Sequence, residues 1–399
     1  MKSASRLNDV NFEAPPVAQA IQQRSLVVGI IFAVLALVGA FITPAQFFPA
    51  YLIGFMLWIG VTLGCLTLLM LQHLTGGNWA VPIRRILEAG TRTLWLMILF
   101  FLPIGIGISR LYPWARPAEI AHDAHLLHVA KLYLAPSYFV LRAILYFIVW
   151  AVLVLYLNRW SRLQDEPPER DFSRRFRRIS APGLVIYAFT MTFAAIDWVM
   201  SLDPHWVSTI YPLIFVVGQG LSGICFAVVA ETILSRYEPM RSLLKPTTLR
   251  DHGNLILTFV MLWAYFSFSQ WLIIWAGNLP EEIQWYLPRL QHGWNHVGVF
   301  LTIFHFAVPF ALLLSRNFKQ NPATLARLAT WLIVMRWLDL FWMIEPNFHQ
   351  RFFIGWLDFV VPVAIGGFWL WLFFRNLRAR PLVPLQDVRI RAILESEIG

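Results

Sequence analysis

The chain has 399 residues, of which 58% are apolar, 16% aromatic and only 14% charged, with a mean hydropathy of +0.61. A soluble domain carries about 45–50% apolar and about 25% charged residues, so a soluble globular protein, a disordered chain and a disulfide scaffold are all excluded. The formal charge of +10 comes from 32 Lys+Arg against 22 Asp+Glu, and its distribution follows membrane topology and anionic lipid rather than nucleic acid.

The polar stretch Met1 to Arg24 lacks a cleavable-signal pattern, so the first apolar run is expected to be a retained helix. A spanning helix needs about 20 mostly apolar residues. Ten stretches approach or exceed that length: Ser25–Ile42, Phe48–Leu71, Thr91–Ile108, Tyr138–Leu157, Ala181–Met200, Thr209–Leu234, Asn254–Trp275, Val297–Leu314, Leu328–Ile344 and Gly355–Phe374. They predict an all-α membrane protein of ten transmembrane helices, residues 25–374, between cytoplasmic tails 1–24 and 375–399. The runs are too long and continuous for the alternating strands of a barrel. The longest outer loop, Ser109 to Ser137, is expected to hold an interfacial helix.

Basic residues set the orientation. With a cytoplasmic N-terminus, the outer loops hold only Arg110, Arg116, Lys131, Arg289 and Arg351, while Arg142 and Arg336 lie within spans. All other Lys and Arg fall on the inner segments, as the positive-inside rule requires. The densest run, RDFSRRFRRIS from Arg170 to Ser180, reads as a topology determinant, or as a contact for phospholipid headgroups or a partner subunit.

An internal echo links GVTLGC (Gly60 to Cys65) in the second span with GQGLSGIC (Gly218 to Cys225) in the sixth. It fits two parallel four-helix bundles, the second to fifth and the sixth to ninth helices, flanked by the first and tenth. Ordinary small-residue packing explains the echo equally well.

Ionisable groups inside spans are costly, about 2.5–3.5 kcal/mol each on insertion scales, and so face protein or water. Arg336 and Asp339 lie near mid-depth in the ninth span, and their i, i+3 spacing puts them on one face. They form either a structural ion pair or part of a transport path. His305 is deep in the eighth span; it is either a packing residue or a proton carrier, its ordinary pKa being near neutrality. Asp197 and Asp358 lie toward the outer side, with Glu345, Arg142 and Gln270. Gln219 is mid-depth, and Glu231 lies toward the inner side. Together Asp197, Gln219, Glu231, His305, Arg336, Asp339 and Asp358 are the candidate proton path.

Only one histidine is deep, whereas a b-type haem between helices needs two axial ligands at similar depth. Cys65 and Cys225 sit in separate apolar runs and cannot hold an iron–sulfur cluster. The strings His122/His125/His128 and His292/His296 have metal-compatible spacing but lack a completing Cys or carboxylate set. No catalytic, metal or cofactor site is therefore expected in this chain. No nucleotide-binding glycine loop appears, which argues against an ATP-driven pump.

Four strings carry a resemblance: YLIGFMLWIGVTLGCLTLLMLQHLTGGNW (Tyr51 to Trp79), DWVMSLDPHWVSTIYP (Asp197 to Pro212), GNLILTFVMLWAYFSFSQWLIIWAGNLPEEIQWY (Gly253 to Tyr286) and HFAVPFALLLSRNFK (His305 to Lys319). Together they resemble the NrfD/PsrC-like integral membrane subunits, of the ActF type, in bacterial alternative complex III. That complex is a quinol:cytochrome c (or electron acceptor) oxidoreductase of the respiratory chain. The resemblance implies the inner membrane of a bacterium, ten helices in two four-helix bundles, and no redox cofactor in this subunit. It implies as partners a paralogous NrfD-like membrane subunit, an iron–sulfur subunit, multihaem and monohaem cytochrome c subunits and small membrane anchors. It places quinone with the paralogous subunit more than with this one, and proton translocation among the suspected roles. Without the resemblance, the same polar residues fit a free-standing secondary transporter with a mid-membrane polar site or a structural anchor.

The charge distribution makes a direct prediction. A periplasm-active reporter fused after Phe374 is expected to be silent, and the same reporter inserted near Glu281 to be active. The reverse pattern would overturn the orientation.

Overall fold

The computed structural model describes residues 12–166 and 171–384; the ends of both expected tails, and Arg170 of the arginine run, lie outside them. The described residues are helical, with no strand among them. The long helices are α1 Pro16–Ile42, α2 Pro44–Thr75, α3 Arg84–Ile106, α4 Pro136–Asp165, α5 Ser173–Leu202, α6 Tyr211–Leu234, α7 Pro246–Gly277, α8 Trp294–Leu314, α9 Pro322–Ile344 and α10 Leu357–Arg378. Nine of them, among the described residues, are long and apolar enough to cross a membrane. The chain is thus a multi-pass membrane protein by length and composition. The remaining helix, α9, has 23 residues and coincides with the expected ninth span, but Arg327, Arg336 and Asp339 dilute its apolar character.

Most helices begin earlier than the apolar runs predict. Each of α1, α2, α4, α7 and α9 starts on a proline. Proline is preset for the first helical position and lacks an N–H that would be unpaired there anyway. Hydropathy marks only the stretch matched to hydrocarbon, so these polar first turns, including Pro16 to Arg24, read as tail or loop. The long loop before α4 contains two short helices, Pro117–His122 and Ala124–Leu132. They break at Asp123, whose carboxylate caps the second by accepting from the amides of His125 (2.9 Å) and Leu126 (3.1 Å).

The interior is organised around α2 and α6. The most apolar window of α2 is 89% buried and that of α6 83%, against 22% for α1 and for α7. The two central helices touch backbone to backbone at the echoed glycines. A Cβ on Gly64 would stand 1.9 Å from the carbonyl oxygen of Gln219, and one on Gly223 2.5 Å from the carbonyl carbon of Gly64. Small residues permit such an approach where lipid supplies no hydrophobic drive between helices. Around this crossing, α3 and α5 pack on α2, while α7 and α9 pack on α6. Helix α10 lies against α2 and carries α1, with Gly29 meeting Gly367 at a second close crossing. A buried polar link ties three helices, as Trp369 Nε1 donates to Thr62 Oγ1 (2.8 Å), itself 2.9 Å from Thr93 Oγ1.

Contacts between helix ends define two faces. Arg84 with Gln164, His252 with the Trp79 carbonyl and Lys319 with Asn254 share the near face. Arg142 with the Tyr133 carbonyl, Trp206 with the Glu282 carbonyl and Trp294 with the His349 carbonyl share the far face.

Replacing Gly64 by Val should abolish the α2/α6 contact, because overpacking by a few methyl groups already costs about 1–3 kcal/mol and here the obstruction is backbone. Gly105→Ala, where a Cβ meets nothing within 4 Å, is the control. Size-exclusion profiles in detergent should show loss of the monodisperse peak for the first variant alone.

Candidate functional site

The mid-depth residues singled out in α8 and α9 do come together, through a tryptophan of α7. The His305 ring stacks on Trp263 at 4.2 Å between centroids and 10° between planes. Trp263 Nε1 donates to Asp339 Oδ2 (3.1 Å), and Arg336 Nη1 donates to the same oxygen. The Arg336 guanidinium also lies over the Phe215 ring at 5.5 Å. Room for it comes from α6, where a Cβ on Gly218 would stand 2.4 Å from the guanidinium carbon. The expected i, i+3 pairing of Arg336 and Asp339 is therefore present and buried on both sides. His305 is fully buried, and neither ring nitrogen has a hydrogen-bond partner among the described residues.

The helix is irregular where His305 sits, widening to π geometry over Thr302–Ala307. Pro309 lies four residues beyond His305; it offers no N–H to the His305 carbonyl, and its ring needs the space that an α-helical carbonyl would occupy. Insertions of this kind recur at functional sites.

The other candidates form separate clusters. On the far side, Arg142 grips Asp197 with both arms, Nε to Oδ2 at 2.8 Å and Nη2 to Oδ1 at 2.9 Å, while Tyr146 adds a third bond of 2.8 Å. The Tyr133 ring covers the guanidinium at 3.9 Å. Gln219 accepts from Tyr187 Oη (2.5 Å) and donates to Met191 Sδ (3.1 Å), which ties α6 to α5 rather than to the Arg336 pair. Toward the near side, Glu231 meets His252 Nδ1 at 2.7 Å, and His252 Nε2 meets the Trp79 carbonyl at 2.6 Å. Asp358 is fully buried and accepts from the Gly355 amide (2.7 Å), while its Oδ1 has no partner among the described residues. Gln270 accepts from Ser208 and donates to Tyr286.

Outside the spans, Glu345 is buried and bonds His349 Nδ1 at 2.7 Å. That hydrogen bond holds the imidazole above its ordinary pKa. Arg289, an outer-loop charge in the sequence reading, is in fact buried over the Trp285 ring, donating to the carbonyls of Trp285 (2.6 Å) and Met343 (2.8 Å). Burial pushes its pKa down to about 10.

Three groups escaped sequence reasoning. His252 stands two residues before the expected seventh span and so reads as a loop residue. Trp263 looks like any apolar residue of a span. The third is a buried ionic network on the near face. Glu88 there accepts from Arg84 (3.1 Å), Arg85 (2.6 Å) and Ser161 (2.7 Å), with Arg85 also on Asp165 (2.5 Å) and Arg380 at 3.7 Å. Arg84 and Arg85 read as loop charges because they precede an apolar run, and Arg380 because it follows one.

Among the described residues, no group of three or more His, Cys, Asp or Glu side chains is placed to hold a metal ion. His125 lies beside His205 (4.9 Å between centroids), and His205 pairs with Asp123 at 2.9 Å. The arrangement offers buried acids and bases at three depths, in separate clusters. No family model matches the chain, and no curated protein matches it.

The Arg142–Asp197 pair generates a prediction. Removing one member of a buried pair leaves the other uncompensated, whereas removing both is far milder; here Asp197 is buried and Arg142 half-buried, so water offsets part of that penalty. Asp197→Ala should lower the thermal midpoint followed by tryptophan fluorescence, and Asp197→Ala with Arg142→Met should recover most of the loss.

Proposed function

We propose that the chain is an integral membrane subunit of a respiratory quinol:cytochrome c oxidoreductase of the alternative complex III type. In this reading it carries no redox cofactor, supports assembly and passes protons through the membrane. It has ten spans, with α9 the ninth, in two four-helix units, α2–α5 and α6–α9. It sits in a bacterial inner membrane with both termini cytoplasmic, so the near face is cytoplasmic. Its partners are a paralogous membrane subunit that oxidises the quinol, an iron–sulfur subunit, multihaem and monohaem cytochromes c and small anchors. The four strings of resemblance and the one-sided basic residues support this reading.

The observation that carries the proton role is the α7–α8–α9 cluster. Buried ionisable groups in lipid-embedded helices are expensive and mark proton or ion pathways. Both donors to Asp339 converge on Oδ2, leaving Oδ1 as the atom that takes a proton. His305 lies one tryptophan away, and neither of its nitrogens has a hydrogen-bond partner among the described residues. Arg336 keeps the carboxylate available by matching its charge. Glu231 with His252 offers a relay toward the near face, and Asp358 offers an acid toward the far face, where Asp197 is taken up by Arg142 and Tyr146.

A tag on this chain should bring c-type haem and iron–sulfur partners through purification; the chain purifying alone as a transport-competent protein would favour a secondary transporter. In the purified complex, Asp339→Asn retains shape and removes titration. Quinol oxidation should continue while coupled proton release is lost. Unchanged turnover and an unchanged proton-to-electron ratio would make the pair a brace.

A further inference from the structure

The arginine run entering α5 borders a groove that none of the roles above uses. A cavity of about 320 Å³ between the near-face ends of α4 and α5 is lined by Tyr156, Trp160, Arg175, Arg178, Ile179 and Pro182. The α5 residues recur at helical spacing, so both guanidiniums, an isoleucine and a proline share one face. The opposite wall is aromatic: Tyr156 lies 5.6 Å from Trp160 between centroids, and Trp160 is backed edge-on by Phe176 at 6.1 Å. Arg174, Arg175, Arg177 and Arg178 are all exposed, and none forms an ion pair among the described residues. Two of these four cations, Arg175 and Arg178, stand at the mouth of an apolar groove with no ion pair among the described residues. Below the groove, exposed Leu155 and Val152 of α4 and Val185 and Ile186 of α5 continue the apolar surface toward mid-membrane.

We propose that this groove binds one anionic glycerophospholipid of the near leaflet. Its phosphate sits between Arg175 and Arg178, its glycerol region against Trp160 and Tyr156, and an acyl chain runs down past Ile179 and Pro182. The match is one of charge and of depth together. Guanidiniums chelate phosphate oxygens in a planar fork, tryptophan and tyrosine favour the headgroup level, and the apolar floor opens directly onto the lipid-facing surface. A free phosphate ion uses the first of these features and leaves the other two unexplained. The proposal rests on membrane embedding alone, so it stands or falls separately from the respiratory role.

The test uses the full chain purified in detergent, stripped of lipid by washing, then titrated with phosphatidylglycerol or phosphatidylcholine of identical acyl chains and read by native mass spectrometry. Wild type should retain one phosphatidylglycerol per chain and markedly less phosphatidylcholine. Guanidinium–phosphate bonds are charge-assisted and depend on direct contact, so Arg175→Gln with Arg178→Gln should weaken phosphatidylglycerol retention roughly tenfold or more. Arg174→Gln with Arg177→Gln removes the same charge off the groove face and should change it by less than about twofold. Equal losses in the two double variants, or no discrimination between lipids by wild type, would overturn the proposal. Ile179→Trp fills the groove while keeping every arginine and should show the same loss; undiminished retention would count against the site even if the arginine variants fail to fold. Excess inorganic phosphate should leave the bound lipid in place, and its displacement would overturn the lipid as the occupant.

Discussion

The contact of α2 with α6 at Gly64 and Gly223 is the constraint on which the rest of the molecule depends. Lipid chains are as apolar as leucine, so helices in a membrane gain little from hiding apolar surface against one another. What holds the two most buried helices together is close packing, which demands that both surfaces be bare at one level. A Cβ at either position would enter the other helix's backbone. Because the crossing lies at the centre, it also fixes where the flanking helices can stand. Gln219, whose carbonyl faces Gly64, holds α5 through Tyr187, and Gly218 of the same segment makes the space that Arg336 occupies. One short glycine-rich stretch thus positions both the fold's axis and the charged pair of α9.

The buried charges follow a common rule with different partners. Removing an ion from water costs several kcal/mol unless hydrogen bonds and an opposite charge restore what solvation supplied. Asp197 receives two guanidinium bonds and a phenol, Glu88 receives two arginines and a serine, and Glu231 receives a histidine. The α9 pair, like Glu88 and its two arginines on α3, is local; its members stand three residues apart on one turn. Its further partners, Trp263 and Phe215, are supplied by packing. A saturated acid such as Asp197 is well suited to bracing two helices. An acid with both donors on one oxygen, beside an unpartnered imidazole, is better suited to exchanging a proton.

How much of this was legible in the sequence depends on the range of each interaction. The spanning helices are legible because bilayer thickness imposes a length on any apolar run, and α9 stays visible despite its charges since the run surrounds them. The Arg336–Asp339 pair is legible because i, i+3 geometry is a property of a single helix. The Arg142–Asp197 clamp joins helices whose relative rotation no local pattern encodes, so each member was placed at its depth without its partner. Glu88 was missed for a different reason. Hydropathy defines a span by its hydrocarbon-matched centre, so polar first turns that fold into the protein are counted as loop. His252 belongs to the same class, since it lies in α7 ahead of the apolar run yet is fully buried.

That last class bears on what a positive face means in this protein. Positive-inside counting treats every near-face arginine alike, yet the structure divides them by what they touch. Arg84, Arg85 and Arg380 converge on Glu88 beneath the surface, where they lock the ends of α3 and α4 to the segment after α10. The arginines entering α5 make no such pair among the described residues and stand exposed, Arg175 and Arg178 beside an aromatic wall. The first set answers a buried carboxylate and contributes to the fold whatever the lipid. The second set has no ion pair among the described residues and is open to a counter-charge from its surroundings. The same residue type, on the same face and within one loop's reach, is an internal clamp where an acid lies beneath it and an exposed cation where none does among the described residues.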